Sequence, residues 1–339
     1  MMKPLLLLAA LASGTALAQA DAPVARTNWA VARDGDQVYT FFGLGPGKTW
    51  ADIQQDVHAL DLRSDAWRKV ADIPVAQGRL ASAALTVGGK IYLIGGYTVS
   101  AKGEEVSTPE VLRFLPDSGR FEAETTMPVP VDDSVALPWR ERWIVLVSGW
   151  HDKANVTDVQ IYDTHTRRWT SATPFPGRPV FGHAGGLIGD TMVLCDGVTA
   201  DKGADGKNVF AISNACWQGT LDTEQPALIS WRALPPHPGV PLYRAGAVGD
   251  NGRIVFAGGS GRPYNYNGIG YDQLPAEPSD AVFSYDPARG RWQTHAPLPQ
   301  AGMDFRGLVP LGNGEYGLFG GMRAGQRVSA GVIRFSASP

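Results

Sequence analysis

The sequence predicts an all-β fold, a six-bladed β-propeller of four-stranded antiparallel blades, and three observations carry that prediction. A turn–strand–glycine unit, clearest in Gly88-Gly89-Lys90-Ile91-Tyr92-Leu93-Ile94-Gly95-Gly96, returns through the chain. It reads as a hairpin turn feeding a strand buried on both faces. Its strand-ending position recurs at Gly43, Gly95, Ser148, Asp196, Gly258 and Gly320, at intervals of 52, 53, 48, 62 and 62 residues. Self-similarity near 50 residues is the period of a four-stranded blade, so six occurrences mean six blades. A second column keeps phase with the first: an outer-strand aromatic followed by a turn proline, as in Trp67 and Pro74, Phe121 and Pro128, Trp169 and Pro176, Trp231 and Pro235, Trp292 and Pro299. Finally, 41 glycines and 25 prolines among 339 residues supply the turns that such a fold needs and fit one all-β domain.

In chain order, Lys3, the apolar run Leu5 to Ala12 and the small-x-small sites Ala16-Leu17-Ala18 and Ala18-Gln19-Ala20 read as an export signal over residues 1–20. The run is too short to span a bilayer. The expectation is a periplasmic or secreted protein whose residues 21–339 form a single domain. Without Lys3 the 30 basic residues become 29 against 33 acidic ones, a balance that offers nothing to a nucleic-acid backbone.

Blade one spans about 26–74, with Gly43-Leu44-Gly45 in place of the double glycine, and blade two about 78–128, with Glu104, Glu105 and Glu110 in and after its loop. Blade three, about 131–176, carries Trp150-His151-Asp152 after its glycine. Blade four, about 178–235, holds both cysteines: Cys195 ends its second strand and Cys216 starts its third, so the two can close a disulfide in an oxidising compartment. Its loop Asp201 to Gly206 lacks the spaced acidic ligands of a calcium loop and reads as a solvated turn. Blade five, about 239–299, has the longest insertion, Gly261 to Ser279, dense in Tyr and Asn. Blade six begins near 302 and has no closing tryptophan. Only a short N-terminal strand is available to complete it.

The glycine pairs Gly95-Gly96, Gly258-Gly259 and Gly320-Gly321, with Tyr162-Asp163, Tyr285-Asp286 and the column tryptophans, resemble the signature of the kelch family over about residues 26–335. The resemblance implies a kelch-type propeller and says little about function.

Binding residues concentrate on loops held by a rigid scaffold, here the face where inner strands begin and second strands end. Aligning the six inner strands places Trp29, Ser82, Ser134, His183, Arg244 and Arg306 in one column at the channel mouth. Arg26 and Arg79 come three residues earlier, and Asp133 and Asp304 lie close by. Four arginines converging on one opening call for an anion between them, and the two aspartates supply only part of it. The expected ligand is therefore a small anionic or sugar-like molecule. Tyr264 and Tyr271 in the blade-five loop fit it, since aromatic faces stack on sugar rings.

The Glu-containing loop of blade two, the Tyr/Asn-rich loop of blade five and the arginine entering blade six make the chain similar to the bacterial exported N-acetylneuraminate epimerases, sialic acid mutarotases with six kelch blades. That resemblance implies ring opening by an acid/base and an arginine. Asp304 or Asp133 would be the base, His183 or Tyr271 the donor, and Arg79, Arg244 or Arg306 would hold a carboxylate. After the fourth-blade glycine that family has Glu and then Arg, where this chain has Val198 and Thr199. Galactose oxidase, a copper kelch enzyme, fits less well, because the six histidines are scattered and copper needs converging nitrogen ligands. No metal or other cofactor is expected. The alternative to a sugar isomerase is a non-catalytic module whose loops hold a protein or glycan.

Overall fold

The computed structural model describes residues 20–337, and the export signal expected over 1–20 lies, but for its last residue, outside them. Six antiparallel sheets follow one another along the chain. Five have four strands and the sixth has three. Blade two shows the unit: Ala83–Val87 lies innermost, then Lys90–Ile94, Glu110–Leu115 and outermost Arg120–Thr126. Second strands are apolar on both faces because each blade packs against a neighbour on either side, and Ile91, Tyr92, Leu93 and Ile94 are all buried. The aromatic column sits on the outer strands, where Trp67 stacks on Trp29 while Trp169 packs tilted on Tyr162 and Trp292 on Tyr285.

The repeated glycine has a steric cause. Each second strand ends in two residues with positive φ: Phe42-Gly43, Gly95-Gly96, Ser148-Gly149, Asp196-Gly197, Gly258-Gly259 and Gly320-Gly321. Only the second position is glycine in all six. A Cβ on Gly96 would stand 2.6 Å from Leu80 O, and one on Gly321 2.6 Å from Met303 O. The second hairpin therefore packs directly on the turn that enters its own blade. Gly43 is the second member of its pair, and the repeat register begins at Phe42 rather than at Gly43.

Blade six is made of Val309–Gly312, Glu315–Phe319 and Val332–Ser336. Among the described residues no fourth strand closes it. The N-terminal segment instead runs beside it, with Ala22 N donating to Ala330 O at 2.9 Å and Trp29 Nε1 to Phe319 O at 2.9 Å. Trp29, Val31, Val309 and Phe319 form the apolar seam between the last blade and the first. In blade four Cys195 and Cys216 face each other across adjacent strands and form the expected disulfide.

Candidate functional site

At the entrance to each inner strand one residue adopts the left-handed conformation: Asn28, Ala81, Asp133, Gly182, Arg244 and Asp304, with φ of 58°, 54°, 50°, 62°, 53° and 68°. Only glycine takes this region freely, and Asn or Asp tolerate it. What holds Ala81 and Arg244 there is a belt of hydrogen bonds around the channel. Asp133 N donates to Ala81 O (3.2 Å), Gly182 N to Asp133 O (2.7 Å), Arg244 N to Gly182 O (2.8 Å), Phe305 N to Arg244 O (3.1 Å) and Asn28 N to Asp304 O (3.3 Å). The remaining link uses a side chain, as Ala81 N donates to Asn28 Oδ1 at 2.5 Å. Every blade is thereby tied to the next at the mouth.

The belt corrects the alignment read from the sequence. Arg244 is equivalent to Asn28 and Asp133, one residue before the column that holds Trp29, Ser82, Ser134 and His183, and Arg306 lies two residues past Asp304. Apolar alternation is the only register mark in the sequence, and Gly246, Gly249, Gly307 and Pro310 interrupt it in blades five and six.

Four of the expected residues meet at the centre. Arg244 donates from Nη2 and Nε to Asp133 at 2.6 and 3.2 Å and from Nη1 to Asp304 at 3.1 Å. Arg306 bridges the same two carboxylates. Asp304 also accepts from Thr27 Oγ1 (2.6 Å) and Asn28 Nδ2 (2.9 Å). Burial works to raise the Asp133 carboxyl, but the two guanidinium groups outweigh it and hold it below the usual range. The Arg244 guanidinium lies 4.7 Å from the Tyr243 ring centroid and 5.3 Å from that of Tyr264.

Arg26 and Arg79 are not part of this cluster. Arg26 pairs with Asp56 at 3.2 Å, and Arg79 with Glu110 at 2.9 Å. Both are buried at equivalent places, each against the carboxylate that starts its own blade's third strand. Two cations and two carboxylates remain at the centre, so the excess of positive charge expected at the mouth is not there. Asp304 is sealed by its four partners. Burial pushes His183 down to about 4, against the opposing pull of the Val147 backbone, and it stands beside the channel.

Above the tetrad the loops close in. Tyr243 and Tyr264 are fully buried, with ring centroids 4.9 Å apart and both hydroxyls lacking partners. Tyr271 stacks on Phe210 at 3.8 Å. Burial raises the Tyr271 phenol. Glu105 belongs to the hairpin Tyr97–Val99 and Glu105–Ser107, where it pairs in register with Val99. It is open to solvent yet walled by protein, and that desolvation raises its carboxyl above the usual range against the pull of Arg244. The sequence marked Glu105 only as one acid in a loop. Nothing in the local pattern says that this hairpin leans over Arg244, more than a hundred residues away.

Periodic blades, a hydrogen-bonded belt and a polar mouth under long loops define a six-bladed β-propeller. No family model matches the chain. It is similar to Kelch-like protein terF of Aspergillus terreus, 26% identical over 310 residues that cover 85% of this chain and 61% of that protein. It is also similar to Kelch-like protein 34 of Homo sapiens, 29% identical over 167 residues, or 46% of this chain and 25% of that one. The chain thus spans 61% and 25% of the lengths of these curated relatives. A solved structure titled "Structure of YjhT" aligns with a TM-score of 0.75 over 94% of this chain and 97% of the other, at 18% identity, which shows the shared fold. Among the described residues no helix is long and apolar enough to cross a membrane.

Proposed function

We propose that the protein is an exported propeller whose loop-face mouth binds a small, uncharged, sugar-like ligand and interconverts its ring forms. The observation that carries this reading is the pair of neighbouring carboxyls driven in opposite directions, Glu105 upward and Asp133 downward, at one mouth. Environments that separate two acids in this way assign them different duties. Asp133 stays ionised and fixes Arg244. The protonated form of Glu105, which desolvation favours, carries both a donor O–H and an acceptor oxygen. Opening a cyclic hemiacetal puts a proton on the ring oxygen and takes one from the anomeric hydroxyl, so one neutral carboxyl can serve both transfers. Tyr271 offers an aromatic face to a sugar ring. The balanced tetrad favours a neutral aldose over a sialic acid. Export is supported by the leader pattern of residues 1–20 and by the Cys195–Cys216 disulfide, which suits an oxidising compartment.

The test is magnetisation-exchange NMR of anomer interconversion for a panel of neutral aldoses and N-acetylneuraminate, with and without mature protein. Acceleration that Glu105→Gln removes supports the reading. No acceleration of any sugar refutes the catalysis. A second reading has its own observation: of the six exposed large apolar residues among those described, five, Trp50, Val106, Val209, Val240 and Leu274, lie on loops and hairpins of this one face and only Leu228 does not, as in a module that docks a protein. Saturable binding of a protein partner that Trp50→Ala and Val209→Asp weaken, without sugar turnover, would favour that reading.

A further inference from the structure

Beneath the tetrad, on the side away from the loops, the channel opens into a cavity of about 300 Å³. It exists because the inner strands present small residues there, among them Ala83, Ala136, Gly186 and Ala247. Every charged side chain that lines it is an arginine: Arg33, Arg244 and Arg306. Neither Asp133 nor Asp304 does so.

Arg306 is the telling residue. Its side chain is 7% exposed, and its Nε and Nη2 are buried without a hydrogen-bond partner, the nearest carboxylate oxygen to Nη2 being 3.5 Å away. Buried guanidinium donors are rarely left unmade, since each costs the desolvation of a charged group. At the other end Arg33 spends its Nε on Gly35 O at 2.7 Å and its Nη1 on Pro310 O, carbonyls rather than carboxylates. Three guanidinium groups against two carboxylates leave one positive charge facing the cavity.

We propose that the channel is an anion site, holding one small monovalent anion, chloride or a short carboxylate, beneath the Arg306 guanidinium. The anion takes the two free N–H donors, and the field of Arg33 adds to its hold. His183 also lines the cavity. The anion expected from the sequence is thereby moved from the loop-face mouth to the opposite side of the tetrad. The site stands apart from the sugar reading, because Glu105 does not line it.

The experiment is ³⁵Cl NMR line broadening on the full mature chain at constant ionic strength, titrated with chloride and then with acetate as competitor. Saturable broadening that acetate displaces is expected. Arg306→Gln should weaken chloride binding about tenfold or more, the loss of a charge-assisted hydrogen bond pair. Arg33→Gln, at the half-buried far end, should weaken it severalfold and keeps the test intact if Arg306→Gln fails to fold. Glu105→Gln should bind chloride as the wild type does. Absence of saturable broadening, or broadening unchanged in both arginine variants, would overturn the proposal.

Discussion

Asp304→Ala removes a side chain that ties the last blade to the first and to the central cations together. Its carboxylate accepts from Thr27 Oγ1 at 2.6 Å, Asn28 Nδ2 at 2.9 Å and Arg244 Nη1 at 3.1 Å, and it is 1% exposed. Removing one partner of a buried ion pair costs about 3–5 kcal/mol, because the other charge is left buried and uncompensated. Asn28 then loses the anchor that aims its Oδ1 at Ala81 N, so the closing seam loosens as well. The expected loss is about 4 kcal/mol, set against a total of about 5–15 kcal/mol for a folded domain. Urea unfolding at pH 7 measures it. Arg244→Met should be similarly costly, and the double variant should cost less than the sum by about 1.5–3 kcal/mol, the worth of a hydrogen bond to a charged group. A cost below about 1 kcal/mol for Asp304→Ala, or strict additivity in the cycle, would refute the reasoning.

Three further outcomes rest on particular contacts. Gly96→Ala should destabilise by about 3 kcal/mol, since its Cβ would meet Ser82 Oγ at 2.2 Å on top of a φ of +88°, whereas Gly103→Ala, at +79° with nothing within 4 Å, should cost only about 1 kcal/mol; urea midpoints compare the two. Glu105 sets a pH dependence: its folded pKa is raised, the protonated form is the active one in the proposed reaction, and turnover followed by exchange NMR should therefore fall as pH rises through that raised value. Arg79→Met should lower stability by breaking the pair with Glu110 and the stacking over Phe42, yet leave sugar binding unchanged by line broadening, because Arg79 lies outside the tetrad.

Spacing in the sequence determined the number of blades, their boundaries and the cystine, because a glycine that packs on its own blade's entry turn must return once per blade and nothing else fits there. Cys195 and Cys216 were legible for the same reason, as strand ends in a repeating hairpin. The neighbourhood of the arginines was not legible. Arg26, Arg79, Arg244 and Arg306 look alike along the chain, and only the closed ring shows that two of them staple third strands while two converge on Asp133 and Asp304. Left-handed backbone at Ala81 and Arg244 leaves no mark in composition, since its cause is a belt of hydrogen bonds between blades about fifty residues apart. Glu105 acquires its role by the same route: a side chain's charge is written in the sequence, but its desolvation and its distance from Arg244 exist only after the ring has closed.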